Sequence, residues 1–301
     1  KIRGSFYSEE YRKGVLADME RAKVVCVTYF SQEYPDKLKN IPAPPLVLYC
    51  RGNTSLLSRR AFGIVGSRRT LPNILKECKK LSGQIAGEFA VVTGTADGAD
   101  TAAAEGALAS GNLIFVAAQG LAHVYPAGSA KLYGEAAEKG LLMSEQRPEV
   151  GAKAYLFPVR NRLIAALSEG VLVVSAGEKS GASITAEYAF EYGKDVFCFP
   201  YSLGVPSGKG CNRLLKKGAY LAENILDIFS AFGLDFTAQK KIELTPREAE
   251  VLAALKEYGE AHVSQISAKL GCQSFELLAE LSSLEVKGLI SRLGGNRFSA
   301  L

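Results

Sequence analysis

Between Ala61 and Phe199 the chain repeats one pattern: a short apolar run, a Gly- or Ser-rich turn, then a longer stretch with apolar residues at helical spacing. The apolar runs are residues 62–65, 89–93, 113–117, 141–144, 171–175 and 196–199. Continuous apolar character, rather than alternation, marks strands buried on both faces. The stretches between them, 72–87, 100–110, 129–139, 160–168 and 183–193, predict helices. Strict strand–helix alternation predicts an α/β fold with a doubly wound, mostly parallel sheet, whose ligand site lies beyond the carboxyl ends of the strands.

The flanks read differently. Residues 8–22 predict a helix with Tyr11, Val15, Leu16 and Met19 on one face, followed by a short strand at 24–28. Four prolines between Tyr34 and Leu46 predict a rigid connector without regular structure, and 46–49 a further strand. Residues 220–232 predict a closing helix, and 233–241 a linker. The tail starts with Thr245-Pro246-Arg247-Glu248, a capping box with proline at the first helical position. Helices at 263–270 and 274–287 and a hairpin turning at Gly294-Gly295 complete a winged helix. The expected division is therefore an N-terminal segment 1–33, a main domain 34–233, a linker 234–241 and a winged-helix domain 242–301.

Charge adds direction to this picture. The whole chain carries +5, but residues 242–301 hold six basic against eight acidic side chains, so the preceding 241 residues hold +7. An anionic partner belongs to the main domain. The predicted third helix of the tail bears Glu276, Glu280 and Glu285 against Lys287 alone, which argues against insertion into a duplex groove. The six cysteines form no CxxC pair and read as reduced, cytosolic thiols, several of them in the core. With two distant histidines, a metal site is not expected, and no run reaches the length of a membrane span.

Two stretches carry candidate chemistry. Phe62-Gly63-Ile64-Val65-Gly66-Ser67-Arg68-Arg69 reads as a buried strand, a tight turn and a helix start, which presents backbone N–H groups and positive charge to an anion. It lacks the GxGxxG fingerprint, and Thr93-Gly94 stands where a ribose-binding acid would follow, so a dinucleotide site is disfavoured. Phe157-Pro158-Val159-Arg160-Asn161-Arg162 places an aromatic ring beside cationic donors, with Pro158 biasing Phe157 to an extended backbone. The set suits a stacked base and gripped phosphates; it equally suits a core ring and an internally paired Arg162. Lys179-Ser180-Gly181 reads as a second anion-binding helix start or a plain cap. Residues 204–210 mimic a P-loop but lack its spacing and its Ser or Thr, which excludes an ATPase. Asp97, Asp100 and Glu105 could form a carboxylate set, although Asp100 reads more simply as a helix N-cap.

Four ordered motifs, Gly63-Ile64-Val65-Gly66-Ser67-Arg68, Thr93-Gly94-Thr95-Ala96-Asp97-Gly98-Ala99-Asp100, Phe157 to Ala165 and Ser180 to Ala186, resemble the DprA/Smf family. The likeness runs from about Tyr34 to about Phe229, with Pro44-Pro45-Leu46-Val47-Leu48-Tyr49 as its lead-in. The resemblance implies a Rossmann-like domain followed by a winged helix, with the first helix as remnant of a sterile-alpha-motif-like domain. It implies a cytosolic, non-enzymatic, homodimeric protein that binds single-stranded DNA without cofactor or metal, protects incoming strands and loads RecA during natural transformation. Arg68 matches the family's phosphate-binding arginine, and Phe157, Arg160, Asn161 and Arg162 its groove segment. Arg69, Lys179, Ser180, Lys209 and Asn212 complete the expected DNA-binding set. Ser175-Ala176 replaces the family's usual Glu-Ala, and Tyr201 the glycine of its Pro-Gly. A nucleotide phosphoribohydrolase-type enzyme is the alternative, suggested by an imperfect echo of that motif at Ala176 to Glu187. A transcription regulator acting through the winged helix ranks third.

Overall fold

The computed structural model describes residues 8–234 and 244–300, and the chain forms two compact units, residues 1–236 and 237–301. The first opens with α1 (Glu9–Arg21), capped by Ser8 and burying no residue of its own, then β1 (Val25–Thr28). The proline-rich stretch holds one helical turn, α2 (Asp36–Lys39), where no regular structure was expected. Pro35 precedes it with φ −64°, a value the ring enforces and a helix entry accepts. There follow β2 (Val47–Gly52), β3 (Ala61–Val65), α3 (Pro72–Ile85), β4 (Ala90–Thr93), α4 (Ala99–Ala107), β5 (Leu113–Ala117), α5 (Ala130–Lys139) and β6 (Leu141–Ser144). The chain continues through α6 (Leu156–Leu167), β7 (Gly170–Val173), α7 (Gly181–Glu191), β8 (Asp195–Cys198), α8 (Lys209–Lys216), β9 (Tyr220–Leu221) and α9 (Ile225–Phe229).

The nine strands order as β1-β2-β6-β5-β4-β3-β7-β8-β9. Strands β3 to β9 run parallel, while β2 pairs antiparallel with β6 and β1 with β2. The expected doubly wound sheet is thus present, with an antiparallel edge. Side chains along β3 alternate between two cores: Phe62 and Ile64 pack with α3, α4, α5 and α9, whereas Ala61 and Val65 pack with α6, α7 and α8. The first three crossovers carry the chain from β3 outward to β6. The fourth, through α6, returns it across β3 to β7. The switch point of the sheet is therefore the gap between β3 and β7.

Three expectations need correction. Helix α6 starts at Leu156, four residues early, because a proline costs nothing in a first turn whose N–H groups have no intrahelical partner. Phe157 is consequently helical, not extended. Asp100 lies inside the first turn of α4, whose N-cap is Gly98. Residues 220–232 are not one helix: β9 adds to the sheet, and Asn224 with Asp227 forms a capping box that starts α9 afresh.

The second unit comprises α10 (Pro246–Tyr258), β10 (Glu260–His262), α11 (Val263–Leu270), α12 (Leu278–Val286), β11 (Ile290–Leu293) and β12 (Arg297–Ala300). The strands order as β10-β12-β11, so this winged helix has a three-stranded sheet where only a hairpin was expected. The helix expected at 274–287 begins as a 3₁₀ turn and becomes α-helical at Leu278. Thr245 and Glu248 form the capping box read from the sequence. Of the expected linker, only Leu234 lies among the described residues.

Candidate functional site

The switch point holds an open cleft of about 440 Å³, built by the loop after β3, the loop after β7 and the first two turns of α6. Its first wall depends on Gly66. A Cβ there would stand 2.5 Å from the Ala99 Cβ and 2.7 Å from a Val174 methyl, so only glycine lets the chain leave β3 between these neighbours. The following turn is closed from within: the Ser67 N–H donates to the Ser175 hydroxyl at 2.9 Å, and the Thr70 hydroxyl donates to the Ser67 carbonyl at 2.7 Å. With the backbone anchored, Arg68 and Arg69 are left exposed at the cleft.

The floor is a buried pair of opposite charges. Arg160 from α6 and Asp100 from α4 are both shielded from solvent, at 6% and 5% exposure. The Asp100 carboxylate accepts from the Ala96 N–H at 3.3 Å. Arg160 donates to the Val116 carbonyl and, through Nε, to the Asn161 Oδ1 at 3.0 Å. The Asn161 Nδ2 in turn donates to the Gly181 carbonyl at 3.1 Å, which ties α6 to the start of α7. Burial raises Asp100 to about 6, against the pull of Arg160, the Ala96 and Gly66 amides and Arg68. Burial likewise lowers Arg160, which Asp100 opposes. Gly94 makes room for this pair: a Cβ would lie 2.3 Å from the Asp100 Oδ2 and 2.7 Å from both terminal nitrogens of Arg160.

The mouth is aromatic and cationic. The Arg68 guanidinium lies over the Phe157 ring, 5.5 Å from its centre, and the Tyr125 ring meets Phe157 edge to face at 5.5 Å. Lys179 and Ser180 line the opposite side, where the Ser180 hydroxyl caps α7 by accepting from the Ala182 N–H at 3.3 Å. Among the described residues Arg68, Arg69 and Lys179 form no ion pair. No group of His, Cys, Asp or Glu among them could hold a metal ion. The arrangement can therefore bind an extended anion through guanidinium, ammonium and helix N–H groups, and can stack a planar ring at one rim.

Seven of the ten expected residues meet here: Arg68, Arg69, Phe157, Arg160, Asn161, Lys179 and Ser180. Arg160 and Asn161 do so as floor, not as free donors. Arg162, Lys209 and Asn212 lie outside the cleft lining. Arg162 pairs with Glu145, the internal role the residues equally suited. Asn212 brackets the Tyr201 backbone, accepting from its N–H at 3.3 Å and donating to its carbonyl at 2.9 Å. The Tyr201 hydroxyl donates to the Val174 carbonyl at 2.7 Å, so this departure from the family pattern ties the loop after β8 to β7. The carboxylate set does not converge, since Glu105 pairs with Lys79 at 2.8 Å and Asp97 is exposed. Sequence reasoning missed Tyr125, which reaches Phe157 from the loop after β5, and Ser175, whose departure from Glu was the one signal available.

Comparisons with known proteins agree with this architecture. The family model for DNA recombination-mediator protein A matches residues 25–233, and that for the DprA winged helix domain matches 237–296. The chain is 38% identical over 218 residues to DNA processing protein DprA of Bacillus subtilis, covering 71% of this chain and 73% of that protein. Protein Smf of Escherichia coli is 32% identical over 279 residues, or 88% of this chain and 74% of that one. The X-ray structure of DNA processing protein A from Streptococcus pneumoniae superposes with TM-score 0.67 at 33% identity, covering 74% and 80% of the two chains. DNA processing protein A from Helicobacter pylori, solved for its "unique single-stranded DNA binding mode", gives 0.64 at 31% identity, covering 70% of this chain and 97% of that one. The sheet, the switch-point cleft and the winged helix thus come together in one assignment: the chain belongs to the DprA/Smf family of DNA recombination-mediator proteins.

Proposed function

We propose that the switch-point cleft binds single-stranded DNA, and that the chain acts as a non-enzymatic recombination mediator in the cytoplasm, as a homodimer that protects incoming strands and hands them to RecA. The observation that carries the reading is the convergence of Arg68, Arg69 and Lys179, none of them ion-paired among the described residues, beside the Phe157 ring. Unpaired cations release counterions from phosphates, and an aromatic edge at the rim can stack any base, which together give sequence-tolerant binding. The relative from Helicobacter pylori supports it, being described by its single-stranded DNA binding. The homodimer and RecA rest on the family alone.

Anisotropy with a labelled oligonucleotide across a salt series tests the cleft. Arg68→Ala is expected to weaken binding about tenfold for every sequence and to lower the log–log salt slope by about one. Full affinity in that variant would falsify the placement. An enzymatic role keeps one point in its favour, a cleft carboxylate raised to about 6. Release of free base from nucleoside monophosphates, lost in Asp100→Asn, would establish it over the binding role.

A further inference from the structure

We infer that Tyr125, set against Phe157, forms a nucleobase-stacking subsite at the rim of the cationic cleft. This rests on the single-stranded DNA reading and adds to it a residue outside every motif of the sequence. Among the described residues no cation lies over the Tyr125 ring, and it reaches Phe157, at the rim of the cleft, from a different strand end than the cationic residues. Its ring keeps 38% exposure although it touches Phe157. Among the described residues its hydroxyl makes no hydrogen bond, so the phenol is not held there to satisfy a buried partner.

The backbone beneath it, in contrast, is firmly built. The Tyr133 hydroxyl donates to the Tyr125 carbonyl at 2.9 Å, and the buried Gln119 amide donates to that same hydroxyl at 2.8 Å. On the other side of the loop, the Gly120 N–H donates to the Val150 carbonyl at 2.8 Å and the Ala122 N–H to the Pro148 carbonyl at 3.1 Å. His123 bridges to the Glu149 carbonyl at 3.1 Å. A loop pinned this way presents its ring at little ordering cost, as a stacking platform requires. The cleft then divides by chemistry. Arg68, Arg69, Lys179 and the start of α7 face phosphate, while Phe157 and Tyr125 offer two rings at a steep angle, 62° between planes, to a base. Arg68 covers Phe157 from its own side, leaving Tyr125 as the ring of the two with no cation over it among the described residues.

The test compares the full chain on a labelled thymidine oligonucleotide and on an abasic strand of equal length, which keeps every phosphate and lacks every base. Tyr125→Ala is expected to lose about tenfold on the thymidine strand and at least fivefold less than that on the abasic strand, with an unchanged salt slope. Tyr125→Phe is expected to restore thymidine binding, since the ring and not the hydroxyl is used; this also guards against a misfolded alanine variant. Equal losses on both strands, or no loss on thymidine while the wild type binds it, would overturn the subsite and leave the phosphate cleft standing. A wild type that binds neither strand would overturn the DNA reading and the subsite together.

Discussion

The cleft of the first unit and the winged helix treat most of their cations in opposite ways, although Lys256 and Arg292 of the winged helix form no ion pair among the described residues. At the switch point of the first, Arg68, Arg69 and Lys179 face the cleft without acidic partners among the described residues. In the second, Lys287 is bound to Glu248 at 2.7 Å, Arg247 to Glu250 at 3.0 Å and Arg297 to Glu260 at 2.6 Å, and Lys269 pairs with Glu257. Its α12 region instead exposes Phe275 and Val286 beside Glu276 and Glu285. A winged helix commonly reads a duplex, and a Rossmann-like sheet commonly holds a nucleotide; neither habit decides the matter here. What decides is which cations remain free for phosphate.

The comparison extends to two carboxylates. Desolvation raises Asp100 to about 6, whereas Lys287, Ser283 and the Thr245 amide hold Glu248 down to about 2. Folded Asp100 keeps its proton to higher pH than an unfolded aspartate near 3.8, so its contribution to stability falls as pH rises between these values. Glu248 is the reverse: its contribution is full above 4.5 and is lost as pH falls toward 2. Acidification therefore strengthens the contribution of Asp100 and, below 4.5, weakens that of Glu248.

The strongest way to break the comparison is Gly94→Ala. The added methyl has no space above the Asp100–Arg160 pair, and the cost is expected to be roughly 3 kcal/mol. Hydrogen exchange should show lost protection in the first unit, with the winged helix unchanged. Next, Phe157→Ala should cost about 1–3 kcal/mol in single-strand affinity, and Phe275→Ser less than about 0.5 kcal/mol. Equal losses would place the DNA interface on the winged helix and dissolve the contrast. A smaller effect comes from pH: moving from 7 to 5 neutralises Asp100 beneath Arg68, so single-strand affinity should rise a few-fold, and Asp100→Asn should remove the rise. On the other side, Glu248→Gln should lower the melting temperature of the winged helix at pH 7 and flatten its acid transition, read by circular dichroism. Smallest is Arg69→Ala: exposed, and over no ring among the described residues, it should weaken binding by less than Arg68→Ala in the same salt series.

Most of the sheet was legible because a strand buried on both faces must be apolar throughout, as at Ile64, Val92 and Phe115. The turn after β3 was legible for a local reason too, since Gly66-Ser67-Arg68 lies in one stretch of chain. What was not legible depends on distant partners. Nothing near Arg160 in the sequence announces that the Val116 carbonyl will accept from its guanidinium or that Asp100 will be buried near it. Arg162, two positions on, turns instead to Glu145, a residue 17 positions away. The rule that a residue before proline is extended failed at Phe157 because the first turn of a helix relaxes it. Tyr125 has no sequence signal, for its place is set by a tertiary hydrogen bond from Tyr133.

The bond between the Ser67 amide and the Ser175 hydroxyl joins residues 108 positions apart. It spans the switch point between β3 and β7, so both cleft walls exist only once β7 has paired with β3. During synthesis, a chain that has emerged as far as β6 has the turn after β3 and Arg68 but no facing wall, and lacks Lys179 and α7 altogether. On the proposed reading, affinity for nucleic acid is thereby postponed to a late step of folding, and a growing chain would carry no finished grip with which to hold the message that encodes it.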